Sequence, residues 1–159
     1  MVLTYTQEHV YRHPWDRGHR GGMAEVHGSR GIVSSLHVVD VHTLSRRFDP
    51  DAGRLHTTRS ITVRSPPLPF PLRARIGGAP AVFCHCIETT VADAPRRHME
   101  VVARNAGLRR LIEVEERSIY EPHPLEPDRW TMFRQETRIR CKALLGLGVN
   151  RRESRAAVC

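Results

Sequence analysis

Between Arg109 and Lys142 two alternating segments are joined by a proline-bracketed turn, and no other stretch narrows so far what this chain can build. In the first limb, Leu111 to Tyr120, Ile112, Val114, Ser118 and Tyr120 fall on one face of a pleat. Glu113, Glu115 and Arg117 fall on the other, while Glu116 and Ile119 depart from the alternation. The turn from Glu121 to Asp128 carries Pro122, Pro124 and Pro127, each of which fixes φ and removes a backbone donor, so neither limb continues through it. In the second limb, Trp130 to Lys142, Arg134, Glu136, Arg138, Arg140 and Lys142 share a face. Opposite them stand Phe133, Gln135, Thr137, Ile139 and Cys141. A charged side toward water and a mixed apolar–polar side inward make a half-buried antiparallel hairpin.

The same reading extends to both sides. Val2 to Tyr11 alternates and is stopped by His13-Pro14, with Trp15 as a packing anchor. A strand from Leu36 to Phe48 places Val38, Asp40, His42 and Leu44 opposite His37, Val39, Val41 and Thr43. It ends at Asp49-Pro-Asp-Ala-Gly53, a turn sequence. Arg54 to Arg64 follows, with Leu55, Thr57, Arg59, Ile61 and Val63 on one face. Strands from Val82 to Val91 and His98 to Ala106 then lead into the hairpin through turns at Asp93-Ala-Pro-Arg96 and Asn105-Ala-Gly-Leu108. Strands at about ten-residue spacing with turn signals between them indicate a meander. The expected class is α+β and mostly antiparallel β: a curved meander sheet of six to seven strands with little helix. One domain spans 1–146, with an irregular, disordered insert at 17–35 rich in Gly, His and Arg, and a disordered tail at 147–159.

Charge limits the partners. The net charge of +8 favours an anionic partner, yet nearly all of it is arginine, Lys142 being the sole lysine, and compositional bias alone can produce that. An aromatic content of 6% is low for a base-stacking surface. No apolar run approaches the roughly 18 residues of a membrane span, and no apolar signal core opens the sequence, so a soluble chain without a visible presequence is expected. No metal site and no cofactor is expected. Cys84 and Cys86 sit two apart on one strand face with His85 turned to the other, which suits buried thiols better than metal ligands. The motifs of hydrolases, metalloproteases, P-loops and dinucleotide sites are missing, so the chain reads as a non-enzyme.

Two features ask for a ligand or an internal substitute for one. Arg59 appears on the apolar face of its strand, and a guanidinium there needs an anion: Glu88 or Glu116, or else a ligand phosphate or carboxylate. Between Ser65 and Pro80, Leu68, Phe70, Leu72 and Ile76 stand beside Arg73 and Arg75. Such a tip suits an anionic bilayer, or folds back over the sheet as an ordinary loop; Leu72 to Ile76 could make one helical turn.

Several blocks in register resemble the PRELI/slowmo family in its plant-type form: Val2 to Asp16, His37 to Arg46, Gly53 to Arg59, Ile112 to Pro124 and Gln135-Glu-Thr137. The resemblance covers Met1 to Arg17 and Leu36 to about Gly146. It implies a START-like, PRELI-like lipid cradle, a curved sheet around a cavity for one acidic phospholipid. It further implies transfer of phosphatidic acid or phosphatidylserine between mitochondrial membranes, a peripheral contact with the membrane surface, and a small twin-Cx9C helical-hairpin partner in the intermembrane space. His37 matches a family position near the headgroup, Arg59 is a second headgroup candidate, and 65–80 matches the family's lid. After Arg17 and after Gly146 the sequence departs from the family's first and last helices, which is expected to leave an apolar sheet face open and stability marginal, as in an alternative transcript or an imperfect gene model. A basic β-rich RNA-binding or ribosome-associated protein is the competing expectation, resting on the arginine surplus alone; on the lipid reading no nucleic acid is involved.

Overall fold

The computed structural model describes residues 2–16, 37–64, 83–107, 109–110 and 112–142. Within them lie seven strands: β1 (Val2–Tyr11), β2 (His37–Asp49), β3 (Arg54–Arg64), β4 (Phe83–Asp93), β5 (His98–Asn105), β6 (Ile112–Pro122) and β7 (Thr131–Cys141). They form one antiparallel sheet in the order β1-β7-β6-β5-β4-β3-β2, so β2 to β7 meander and β1 adds to the outside of β7. The strand count and antiparallel meander agree with the sequence, and most boundaries move by one or two residues. The expected insert at 17–35, the lid residues Leu68, Phe70, Leu72, Arg73, Arg75 and Ile76, and the tail at 147–159 lie outside the described residues.

Local chemistry explains the turns. The Asp49 carboxylate accepts the backbone N–H groups of Asp51 and Ala52, both at 3.1 Å, and Gly53 takes φ +62°, which a side chain resists. Asp93 repeats the device, accepting the Arg96 N–H at 3.0 Å. Burial pushes its carboxyl upward, but that N–H, the Arg54 hydrogen bond at 2.8 Å and the charges of Arg54 and Arg96 together hold it below the usual range. Asn105 closes the β5–β6 turn by donating to the carbonyls of Gly107 and Ile112 and accepting the Val114 N–H.

Two readings need correction. Val38, Asp40, His42 and Leu44 do not share a face, because register shifts between Val38 and Asp40 and between Thr43 and Ser45 each insert a residue into β2. Through the bulges Val38, Val41, Thr43, Arg46 and Phe48 come opposite the inner residues of β3. Glu116 does not break the pattern of its strand either. It pairs with Thr137 on one side and Ala103 on the other, continuing the face of Val114 and Ser118, and it is buried.

The apolar core gathers at one end of the inner face, from Trp15, Ala92, Met99, Val101, Tyr120 and Phe133, with Tyr11 and Leu55 against it. Trp15 is buried as expected and donates its indole N–H to the Tyr120 carbonyl at 3.3 Å. The Tyr120 and Phe133 rings pack at 4.9 Å. The expected open apolar face is thus closed at the Trp15 end, where Tyr120 is 1% exposed among its cross-strand neighbours and Trp15. Large exposed apolar side chains concentrate on the edge strands: Val2, Leu3 and Tyr5 on β1, and Val38, Val39, Val41, Leu44 and Phe48 on β2, where one flank has no neighbouring strand among the described residues.

Candidate functional site

Cross-strand register turns scattered polar residues into a band across the middle of the inner face. One row runs Gln7, Gln135, Ser118, Val101, Thr90, Thr57, Arg46; the next runs Tyr5, Thr137, Glu116, Ala103, Glu88, Arg59, Thr43. The band separates the Trp15 core from a second apolar zone containing Val114, Ile139, Ile61 and Val63, the last 1% exposed. Gln135, Thr137, Ser118, Thr57, Glu88 and Glu116 are all buried, and Gln7 donates its amide to Gln135. Buried polar groups at this density must satisfy one another or a ligand.

The charged part of the band lies over β3 to β6. Arg59 Nη1 stands 3.9 Å from Glu88 Oε1; the Arg59 side chain keeps 23% of its surface and that of Glu88 3%. Burial raises the Glu88 carboxyl, Arg59 draws it back down, and Glu116 raises it further. Glu116 reaches Glu88's neighbourhood across Ala103, a residue too small to part them. Of the two internal anions open to Arg59 in the sequence, Glu88 pairs with it. Alternation with Ser118 was the signal that would have placed Glu116 here.

The Cys84 and Cys86 thiols and the Tyr120 phenol are not activated. Burial raises Cys84, and burial, Cys84 and Glu116 raise Cys86. Tyr120 is raised by burial, then by Tyr11, Glu116 and Glu88. Protonated thiols and a protonated phenol are poor nucleophiles at neutral pH. His85 faces the opposite side, with Nδ1 at 3.1 Å from the Thr62 hydroxyl, and no group of three or more metal-ligating side chains occurs among the described residues. The band therefore offers hydroxyls, amides, two carboxylates and the Arg59 guanidinium, with Arg46 at its β2 end, between two apolar zones. That suits an amphiphile better than a covalent reaction.

The two headgroup candidates are not brought together. Arg59 lies opposite Thr43, whereas His37 opens β2 opposite Arg64; at the rise of a strand, five residues of β3 put about 17 Å between the two levels. On the outer face the carboxylates behave as the hairpin pattern requires. Glu115 accepts from Arg104 at 2.6 Å, and Glu113 is shared by Lys142, Arg140 and Arg109 at 2.5, 3.7 and 3.8 Å.

Comparison with known proteins agrees with this architecture. The "Protein slowmo homolog" of Dictyostelium discoideum is 25% identical over 139 residues, covering 87% of this chain and 57% of its own. "Protein UPS2, mitochondrial" of Saccharomyces cerevisiae is 26% identical over 135 residues, covering 85% and 56%. A UPS-like protein of Schizosaccharomyces pombe is 36% identical over 112 residues, covering 70% and 57%. The chain thus spans a little over half the length of these relatives. The model of the PRELI-like family matches residues 33–152, which include six of the seven strands and all of the charged half of the band, and the chain belongs to that family.

Proposed function

We propose that the inner face shelters one acidic phospholipid, phosphatidic acid or phosphatidylserine, for transfer between mitochondrial membranes. The observation that carries this reading is the polar band, with the Arg59–Glu88 pair, set between two apolar zones in a chain of the PRELI-like family. Acyl chains lie along the apolar zones, and the phosphate competes with Glu88 for Arg59. Competition is feasible because the 3.9 Å pair is long for a charge-assisted hydrogen bond and Glu88 resists ionisation. His37, at the other level of β2, meets the headgroup as it enters. Residues 65–80, with Leu68, Phe70, Leu72, Arg73, Arg75 and Ile76, act as the lid that touches the anionic leaflet. The chemistry is non-covalent. The compartment is the intermembrane space, and the partner is a small twin-Cx9C helical hairpin that keeps the loaded chain soluble. A START-like cradle follows from the same reading.

A fluorescence assay of phosphatidic acid transfer between vesicles, with and without the helical-hairpin partner, tests it directly. Transfer that requires the partner and survives excess RNA is expected. RNA retention with a steep salt dependence and no lipid extraction would replace it with the nucleic-acid reading. Arg59→Met should abolish lipid retention; a variant that loses stability yet still holds lipid would remove Arg59 from the headgroup site.

A further inference from the structure

The two edge strands of the sheet are guarded very differently. β2 is kinked by its two register shifts and charged along its length, with Asp40 paired to His42 at 2.6 Å and Arg46 and Arg47 following. Bulges and charges are what keep an edge from recruiting another strand. β1 has neither over its first half. Its ten residues pair with β7 in one unbroken register, and Val2 to Gln7 contain no charge, proline or glycine. Val2, Leu3 and Tyr5 are 55%, 52% and 62% exposed, and Thr4 and Thr6 are exposed as well. The far flank of β1 carries no strand among the described residues. Valine, threonine and tyrosine are strong strand formers, so this flank is a straight row of backbone donors and acceptors ready for one more strand.

The strand is also its own complement. A two-fold axis through the sheet at Thr6 lays β1 antiparallel to β1 of a second copy and keeps both inner faces on one side. Across that axis Val2 opposes Val10, Leu3 opposes His9, Thr4 opposes Glu8 and Tyr5 opposes Gln7, and no like charges meet. The whole strand from Val2 to Val10 is used. An axis at Gln7 pairs as many residues but sets Val2 against Arg12, and an axis at Glu8 opposes that carboxylate to itself. Tyr5 and Gln7 end the two rows of the polar band, so pairing at Thr6 joins the bands of the two copies end to end.

We propose that β1 is the self-association edge of this protein, two copies joining their sheets antiparallel through Val2 to Val10 with the axis at Thr6. One strand from each copy makes an interface at the small end of specific ones, below about 1,200 Å², so the dimer forms at micromolar concentrations and above. Pairing needs no lipid, and neither does its test, so this inference and the cargo reading fail separately.

Sedimentation equilibrium of the full chain, from roughly 1 to 200 µM, should show the mass rise to twice that of the monomer and stop there. Thr4 then separates this register from any other. Thr4→Lys faces Glu8 of the second copy and should tighten the dimer roughly threefold to tenfold, whereas Thr4→Glu faces the same carboxylate and should weaken it by a similar factor. Within its own chain Thr4 lies opposite Arg138, so folding favours the glutamate and disfavours the lysine, the reverse order. Urea midpoints therefore distinguish an effect on folding from one on pairing. Leu44→Lys, the same charge placed on an exposed residue of β2, should leave the dimer unchanged. A monomer at every concentration, or growth past two copies, would overturn the proposal. So would Thr4 variants that shift association in the same direction, or a dimer lost in Leu44→Lys.

Discussion

The two rims of the sheet are built from the same kinds of residue and use them in opposite ways. At the rim carrying Trp15, charges tie turns to one another. Arg97 donates to Asp128 and to the Pro127 carbonyl, both at 3.2 Å, and sits 3.6 Å from Asp16, while Arg54 and Arg96 converge on Asp93. Beneath these pairs the aromatic core is closed. At the other rim cations outnumber carboxylates, while exposed apolar side chains occur at both rims, Val2 and Phe83 here and Phe48 and Leu125 at the Trp15 rim. Charges that are matched over a packed core stabilise a fold; charges left in surplus beside exposed apolar groups are arranged to meet something else.

Trp15→Ala should give the sharpest contrast. It removes the largest side chain of the core cluster and with it the indole hydrogen bond to the Tyr120 carbonyl, so about 3–5 kcal/mol of stability should be lost, read as a lowered urea midpoint. A loss below roughly 1 kcal/mol would mean that this rim does not hold the sheet together. Gly53→Ala strikes the same rim through the backbone. The residue sits at φ +62° and an added Cβ would lie 2.9 Å from the Pro95 ring, so about 1–3 kcal/mol should be lost.

Between the rims the band gives a pH signature. The folded-state pKa of Glu88 is raised above its ordinary 4.5, so its contribution to stability is complete below that value and is lost as pH rises through the folded-state pKa. Glu88→Gln removes this loss. Relative to the wild type the variant should therefore gain stability on going from roughly pH 4 to pH 7.5, a smaller effect than either change above. Urea midpoints at the two pH values measure it, and parallel shifts in both proteins would show that Glu88 is ordinarily ionised in the fold.

Turns were readable from the sequence because their chemistry is local. Asp49 and Asp93 each close their own loop, and alternation fixed which side of β3 and β7 faces inward. The band was not readable as a band, because it exists only once seven strands are in register. Arg59 announced a need for an anion, and both internal candidates were visible, but its pairing with Glu88 depended on the β3–β4 register. Glu116 looked like an interruption because a buried carboxylate is costly unless its surroundings are polar, and those surroundings come from β7 and β4. The β2 bulges left no trace in the alternation, since bulging is a property of the pair of strands. Neither did the surplus of cations at the rim of Arg64, Arg104, Arg109 and Arg140, which come from four separate stretches of chain.

Phe83→Ser carries the smallest expected change in stability and bears most directly on why the rims differ. The side chain is more than half exposed at the start of β4, so its removal should move the urea midpoint by less than about 0.5 kcal/mol, against the several lost at Trp15. On the lipid-transfer reading the lid ends just before Phe83 and brings this end of the sheet to the leaflet. The same variant should therefore sediment several-fold less well with anionic vesicles while its response to salt stays that of the wild type, because the arginines are untouched. A large loss of stability would instead place Phe83 in the core and make the rim a structural edge. Unchanged stability with unchanged vesicle binding would leave the leaflet contact to the lid alone. Only a silent effect on folding together with a clear effect on partition fits a phenylalanine kept in water for the sake of a bilayer.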